Sequence, residues 1–109
     1  MPIGTLLRQC SFSRRYQGYL ELQECIRIAL EYNGSLPQIT EIYRRAAEKF
    51  GVSWCGIEKN IHTSLNYAWK RNGKTEMENL FGGIFYEMPT SGEVILMFAD
   101  YILDHPTEL

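Results

Sequence analysis

Apolar residues recur at helical spacing along most of the chain. Between Gly18 and Tyr32, Leu22, Cys25, Ile26, Ala29 and Leu30 form one stripe, with Glu21, Glu24, Arg27 and Glu31 predicted to face water. Asn33-Gly34 is a stop signal. Ser35 and Gln38 stand at capping-box spacing around Pro37, which a first helical turn tolerates. The helix they open either runs to Phe50 or breaks near Thr40. Its apolar face is Ile42, Tyr43, Ala46, Ala47 and Phe50. Gly51 is placed to end it in a left-handed conformation, and Ser53 to cap the next helix. That helix buries Ile57, Ile61, Ser64, Leu65, Ala68 and part of Trp69, and Lys70-Arg71-Asn72-Gly73 closes it with cations and a Gly stop. Thr75 and Glu78 form a second capping box before Met77, Leu80 and Phe81, with Gly82-Gly83 as the end. Ile84 to Pro89 is an apolar connector. Thr90 and Glu93 make a third box, opening a helix through Val94, Ile95, Met97, Phe98, Tyr101 and Ile102. Asp104 to Leu109 reads as a polar tail.

The pattern predicts an all-α fold, a compact bundle of five or six helices around one core. Residues 1–17, with Arg8, Arg14 and Arg15, show no clear period and read as a flexible basic arm. Such an arm either follows a DNA backbone or is a frayed terminus. Residues 18–109 form a single domain. A helix, a Gly-containing turn and a longer second helix, at about 40–71, fit a helix-turn-helix. The same unit occurs in helical proteins that never touch DNA.

Composition narrows the class. The 109 residues suffice for one core, and 45% hydrophobic with 22% charged residues is ordinary for a globular chain. No apolar run reaches the roughly 20 residues of a membrane helix, and the start has no signal-like apolar core. Cys10, Cys25 and Cys55 cannot all pair and lack metal spacing, so a reducing cytoplasm is the expected compartment. The net charge of −2 conceals a split. Residues 1–74 hold all 11 Lys and Arg against six Glu, and residues 75–109 hold seven acids and no Lys or Arg. This is either a polyanion-facing side opposed by an acidic one or ordinary uneven scatter.

Enzyme chemistry finds no support. His62 and His105 are the only histidines and lie far apart in sequence. Cys55 near a helix start has no orienting Asp or Asn for a Cys–His nucleophile. No phosphate-cradling Gly motif is present. No cofactor and no metal are expected. The outward face of the second helix is more informative. At about 100° per residue it shows Cys55, Lys59, His62, Thr63, Asn66 and Lys70, with Gly56 and Glu58 at the flanks. Lys, Asn, Thr and Glu can reach bases or phosphates. The face carries no Arg, and a solvated surface is the plain alternative.

The chain also resembles a family, the C-terminal DNA-binding effector domain of the sporulation-initiation master response regulator of spore-forming Firmicutes. The likeness runs from about Gly18 to Leu103. It includes Leu22-Gln-Glu-Cys-Ile26, Ile42-Tyr43, Ala47-Glu-Lys-Phe50, Ala68-Trp69, Glu78-Asn-Leu80-Phe81-Gly82, Pro89-Thr90-x-x-Glu93 and Ala99-Asp100. The resemblance implies a six-helix fold with an internal helix-turn-helix and dimeric binding of tandem DNA elements, the last helix contributing to the dimer. By position it implies base-facing residues at Gly56, Glu58, Lys59, His62 and Thr63. The family pattern has Arg at the positions of Gly56, Lys59 and His62, and usually Pro at that of Trp54. Lys59 keeps the charge without the fork, and Gly56 keeps nothing. A phosphorylated receiver domain would precede this one in the family, and the 17 residues before Gly18 are too few to hold it. The expectation is a stand-alone version or an excised domain, with Met1 favouring the first.

These readings combine into a sequence-specific DNA-binding transcription regulator domain, with a recognition helix at about 53–71 in the major groove. Arg14, Arg15, Arg44, Arg45, Lys70 and Arg71 are the phosphate-contact candidates. Double-stranded DNA is the expected partner, with a homodimer or heterodimer through the C-terminal helix and no membrane. The alternative is a degenerate effector-like module that acts by dimerising with a related regulator, without specific DNA binding.

Overall fold

A computed structural model describes residues 3–32, 35 and 38–106. Six α-helices follow one another: α1 (Ile3–Gln9), α2 (Gln17–Glu31), α3 (Ile39–Phe50), α4 (Trp54–Ala68), α5 (Lys74–Phe81) and α6 (Ser91–Asp104). A π-helical turn, Trp69–Gly73, joins α4 to α5. No strand occurs among the described residues, so the all-α expectation holds.

The N-terminal segment is not a free arm. Ile3, Leu6, Leu7 and Cys10 fall on one helical face, and Leu6, Leu7, Cys10 and Phe12 are buried. The spacing was present in the sequence, but a helix of seven residues is too short for periodicity to stand out. Tyr19 on α2 locks α1 in place: its hydroxyl donates to the Gly4 carbonyl at 3.2 Å and accepts from Arg8 Nη1 at 2.8 Å.

With α1 on one side and α3, α4 and α6 on the others, α2 is the central helix. This changes the environment of two glutamates predicted to face water. Glu21 is fully buried, its Oε2 accepting from Gln17 Nε2 at 3.1 Å and Asn60 Nδ2 at 3.3 Å. Glu24 is also buried, and accepts from Arg27 Nη2 at 2.6 Å and Nε at 3.0 Å and from Lys49 Nζ at 3.0 Å. A carboxylate is retained inside only when donors meet it, and here they come from α2 itself, α3 and α4. Cys25 behaves as a core residue, its thiol pushed up to about 12 by burial.

Other boundaries also move. The Asn33-Gly34 stop and the Leu36-Pro37 pair lie outside the described residues, but α3 starts at Ile39 with Gln38 as N-cap, so the Ser35–Gln38 box does not open it. The first helix of the pair begins at Ile39, close to the expected break near Thr40, and is continuous to Phe50. Gly73 is right-handed, and Thr75 lies inside α5 rather than capping it. Gly73 is required by close approach: a Cβ there would overlap the Ala68 carbonyl oxygen and the Cys10 carbonyl oxygen of the α1 end. The Thr90–Glu93 capping box forms as expected, with Glu93 N to Thr90 Oγ1 at 3.1 Å and Thr90 N to Glu93 Oε1 at 2.8 Å.

The Arg27 hydrogen bond, then the Lys49 bond and both positive charges, hold the Glu24 carboxyl below its ordinary range despite its burial. A depressed folded-state value adds stability above the unfolded value, about 4.3, and that stability is lost as pH falls through the folded value. Thermal melts from about pH 5 to pH 3 should therefore show a shallower fall for Glu24→Gln than for the wild type. Parallel curves would remove Glu24 from the acid transition.

Candidate nucleic-acid interface

The turn between α3 and α4 is defined by its backbone. Gly51 adopts φ 68° and donates to the Ala47 carbonyl at 2.9 Å, and Val52 N reaches the same oxygen at 3.2 Å. Ser53 is extended, and its Oγ accepts from Gly56 N at 3.0 Å, capping α4. The inner row Ile57, Ile61, Ser64, Leu65 and Ala68 is fully buried.

Two packing contacts hold α4. Gly18, at the start of α2, abuts the α4 backbone so closely that a Cβ would overlap the Asn60 carbonyl oxygen. On the opposite flank, Ser91 Oγ donates to the Glu58 carbonyl at 3.2 Å. The neighbouring Gly92 lies against the Ile39 side chain of α3. The first turn of α6 thus touches both helices of the pair.

The predicted base-facing residues emerge on the free side. Glu58, Lys59, His62 and Thr63 are exposed and together line an open groove of about 540 Å³. Its second wall is Met88, Pro89, Thr90 and Ser91. Thr63 Oγ1 donates to the Lys59 carbonyl at 3.1 Å, so its hydroxyl proton is engaged on its own helix. Gly56 is not part of this groove. It lies one turn nearer the start, where a Cβ would have only Ser53 Oγ at 3.2 Å and Val52 Cβ at 3.9 Å nearby.

The phosphate candidates divide. Lys70 and Arg71 are exposed in the π-helical turn, and the Arg71 guanidinium lies 4.6 Å from the Tyr67 ring centroid. Tyr67 meets Tyr16 at 4.8 Å between centroids, which ties the segment after the exposed Arg14-Arg15 turn to α4, whereas Arg14 itself lines a groove with Gly4, Thr5, Arg8, Leu20 and Gln23 of α1 and α2. Arg44 is exposed, with Glu41 4.0 Å away. Arg45 is ion-paired with Glu31 at 2.8 Å and is therefore engaged across α2 and α3. Tyr16, Tyr67 and the Met88–Ser91 wall were not singled out as site residues from the sequence. Their positions depend on contacts between distant segments.

Cys55 and His62 are seven residues apart on α4, about 10 Å along the axis, too far for a thiol–imidazole pair. Among the described residues no three His, Cys, Asp or Glu side chains converge on a point that would hold a metal. No described helix is long and apolar enough to cross a membrane.

Six helices around one core carry the α3–turn–α4 pair, with Lys59 and His62 exposed on α4 and Lys70 and Arg71 exposed on the π-helical turn that follows it, which is the architecture of a helical helix-turn-helix domain. The family model for the C-terminal domain of the sporulation initiation factor Spo0A matches residues 3–102, and the chain belongs to that family. It is a family of transcription-factor DNA-binding domains rather than enzymes. The match begins at α1, in keeping with the packing of that helix into the core.

Removing the cap tests how α4 is held. Ser53→Ala should cost about 1 kcal/mol of stability in a denaturant titration. An unchanged midpoint would show that the turn alone defines the start of α4.

Proposed function

We propose that the protein is a sequence-specific DNA reader of the sporulation-regulator effector type, with α4 as its recognition helix in the major groove. The observation that carries this reading is the shared groove: Glu58, Lys59, His62 and Thr63 lie along one open side of α4, in a domain of a DNA-binding family. Lys59 supplies a cation to guanine or phosphate, His62 a donor or acceptor, Thr63 a methyl group for thymine, and Glu58 an acceptor for cytosine N4. Gly56 allows close approach of the helix backbone. Arg71 and Lys70, with Arg14 and Arg15 beyond the Tyr16–Tyr67 contact, flank the helix as phosphate contacts, and Arg44 serves α3. Arg45 contributes through α3 only by exchanging its Glu31 partner. Because no Arg fork is present on α4, its base preference differs from that of family members that carry one.

Lys59→Ala should weaken binding to duplex DNA and lower the slope of log K against log salt by about one unit. An affinity and slope equal to wild type would rule out this docking.

A second reading is a module acting through protein contacts, in which α6 pairs with the α6 of a second copy or of a related regulator. It is favoured by a groove of about 280 Å³ along α5 and α6, lined by Leu80, Phe81, Met97, Asp100, Tyr101, Asp104 and His105. Light scattering should then give a dimer mass that Met97→Asp returns to monomer. A wild type that stays monomeric alone, with DNA and with the related regulator would dismiss it.

A further inference from the structure

The start of α4 carries an exposed apolar pair that the groove residues do not explain. Val52 and Trp54 are each 39% exposed, on either side of the capping Ser53. Single exposed apolar residues are common, but Trp54 is held in place. Its ring stacks on Tyr43 of α3, with centroids 6.4 Å apart and planes inclined by 16°. Tyr43 is itself buried, so the indole has a rigid base and only one of its faces is covered by it. Gly56, two residues on, has no side chain, and a Cβ there would meet only Ser53 Oγ and Val52 Cβ.

In a helix-turn-helix complex the first helix crosses the DNA backbone and the N-terminal residues of the second enter the groove. A side chain seated on the first helix at the entering end of the second lies at the groove edge. Its neighbours there are the apolar parts of a nucleotide, the deoxyribose carbons and the thymine C5-methyl. The geometry points to Trp54 as an apolar DNA contact, packed on the carbon face of a nucleotide at the edge of the major groove. This inference rests on the docking of α4 proposed above. It gives the helix an anchor at the end where Gly56 offers no guanidinium. A planar indole already fixed by Tyr43 loses little rotamer freedom on binding, which favours such an anchor.

The test uses a duplex selected by the wild-type protein from a randomised library. Trp54→Ala should weaken binding about fivefold or more while leaving the salt slope unchanged, because no phosphate charge loses its partner. Trp54→Phe keeps an aromatic on Tyr43 and should retain most of the affinity, and thermal melts of both variants separate lost contact from lost folding. A readout that leaves Trp54 intact comes from Trp69→Phe, in which Trp54 is the sole tryptophan: bound DNA should shield its fluorescence from acrylamide. Replacing thymine by deoxyuridine then separates the two sources. A loss seen with Trp54 but absent in Trp54→Ala identifies the methyl, and shielding without such a loss identifies deoxyribose. Wild-type binding with an intact Lys59 effect, but with Trp54→Ala within twofold and Trp54 still open to acrylamide, overturns this inference alone. A wild type that binds no duplex overturns the docking and this contact together.

Discussion

The contact between Gly18 and the Asn60 carbonyl determines the arrangement of the whole domain. It brings the start of α2 directly onto the backbone of α4, at a distance no side chain would permit. Once α2 is seated there, Glu21 comes within reach of Asn60, and the inner row of α4 closes on the central core. The opposite side of α4 is then left outward. Close backbone approach of this kind makes the orientation of a helix a discrete choice, because packed interiors do not yield gradually.

The first turn of α6 supplies the opposing support. Ser91 meets the α4 backbone at Glu58, and Gly92 meets Ile39 of α3. The capping box of Thr90 and Glu93 keeps that turn regular. Helix termini usually need only satisfied donors, but here the same turn also forms a wall of the groove along the exposed side of α4. The residues that hold α4 and those that shape this groove are therefore partly the same.

Charge is divided between holding the fold and facing outward. Glu24 gathers Arg27 and Lys49, and Glu31 gathers Arg27 and Arg45, so Lys49 and Arg45 stitch α3 to α2 while Arg27 braces α2 itself. Lys59, Lys70 and Arg71 have no ion pair among the described residues. The basic excess of the first 74 residues is thus partly structural, and only the remainder is available to a polyanion.

The sequence by itself determined the helix pair α3 and α4. The Ile42-Tyr43-Ala46-Ala47 face, the left-handed Gly51, the Ser53 cap and the Ile57–Ile61–Leu65–Ala68 row all agree with the structure, because each depends on residues within one or two turns. The Thr90–Glu93 box was legible for the same reason. The outward Lys59, His62 and Thr63 followed from that row by rotation around one helix, with Glu58 at the flank. Tertiary structure alone decided the rest. Glu21 and Glu24 were given to solvent because their donors, Asn60 and Lys49, lie far along the chain. Gly73 was read as a stop because the approach of Cys10 is invisible locally. The Met88–Ser91 wall, and the indole of Trp54 on Tyr43, exist only where separate helices meet. Periodicity tells which face of a helix must be covered, whereas what covers it, and what remains open, is settled by contacts between distant segments.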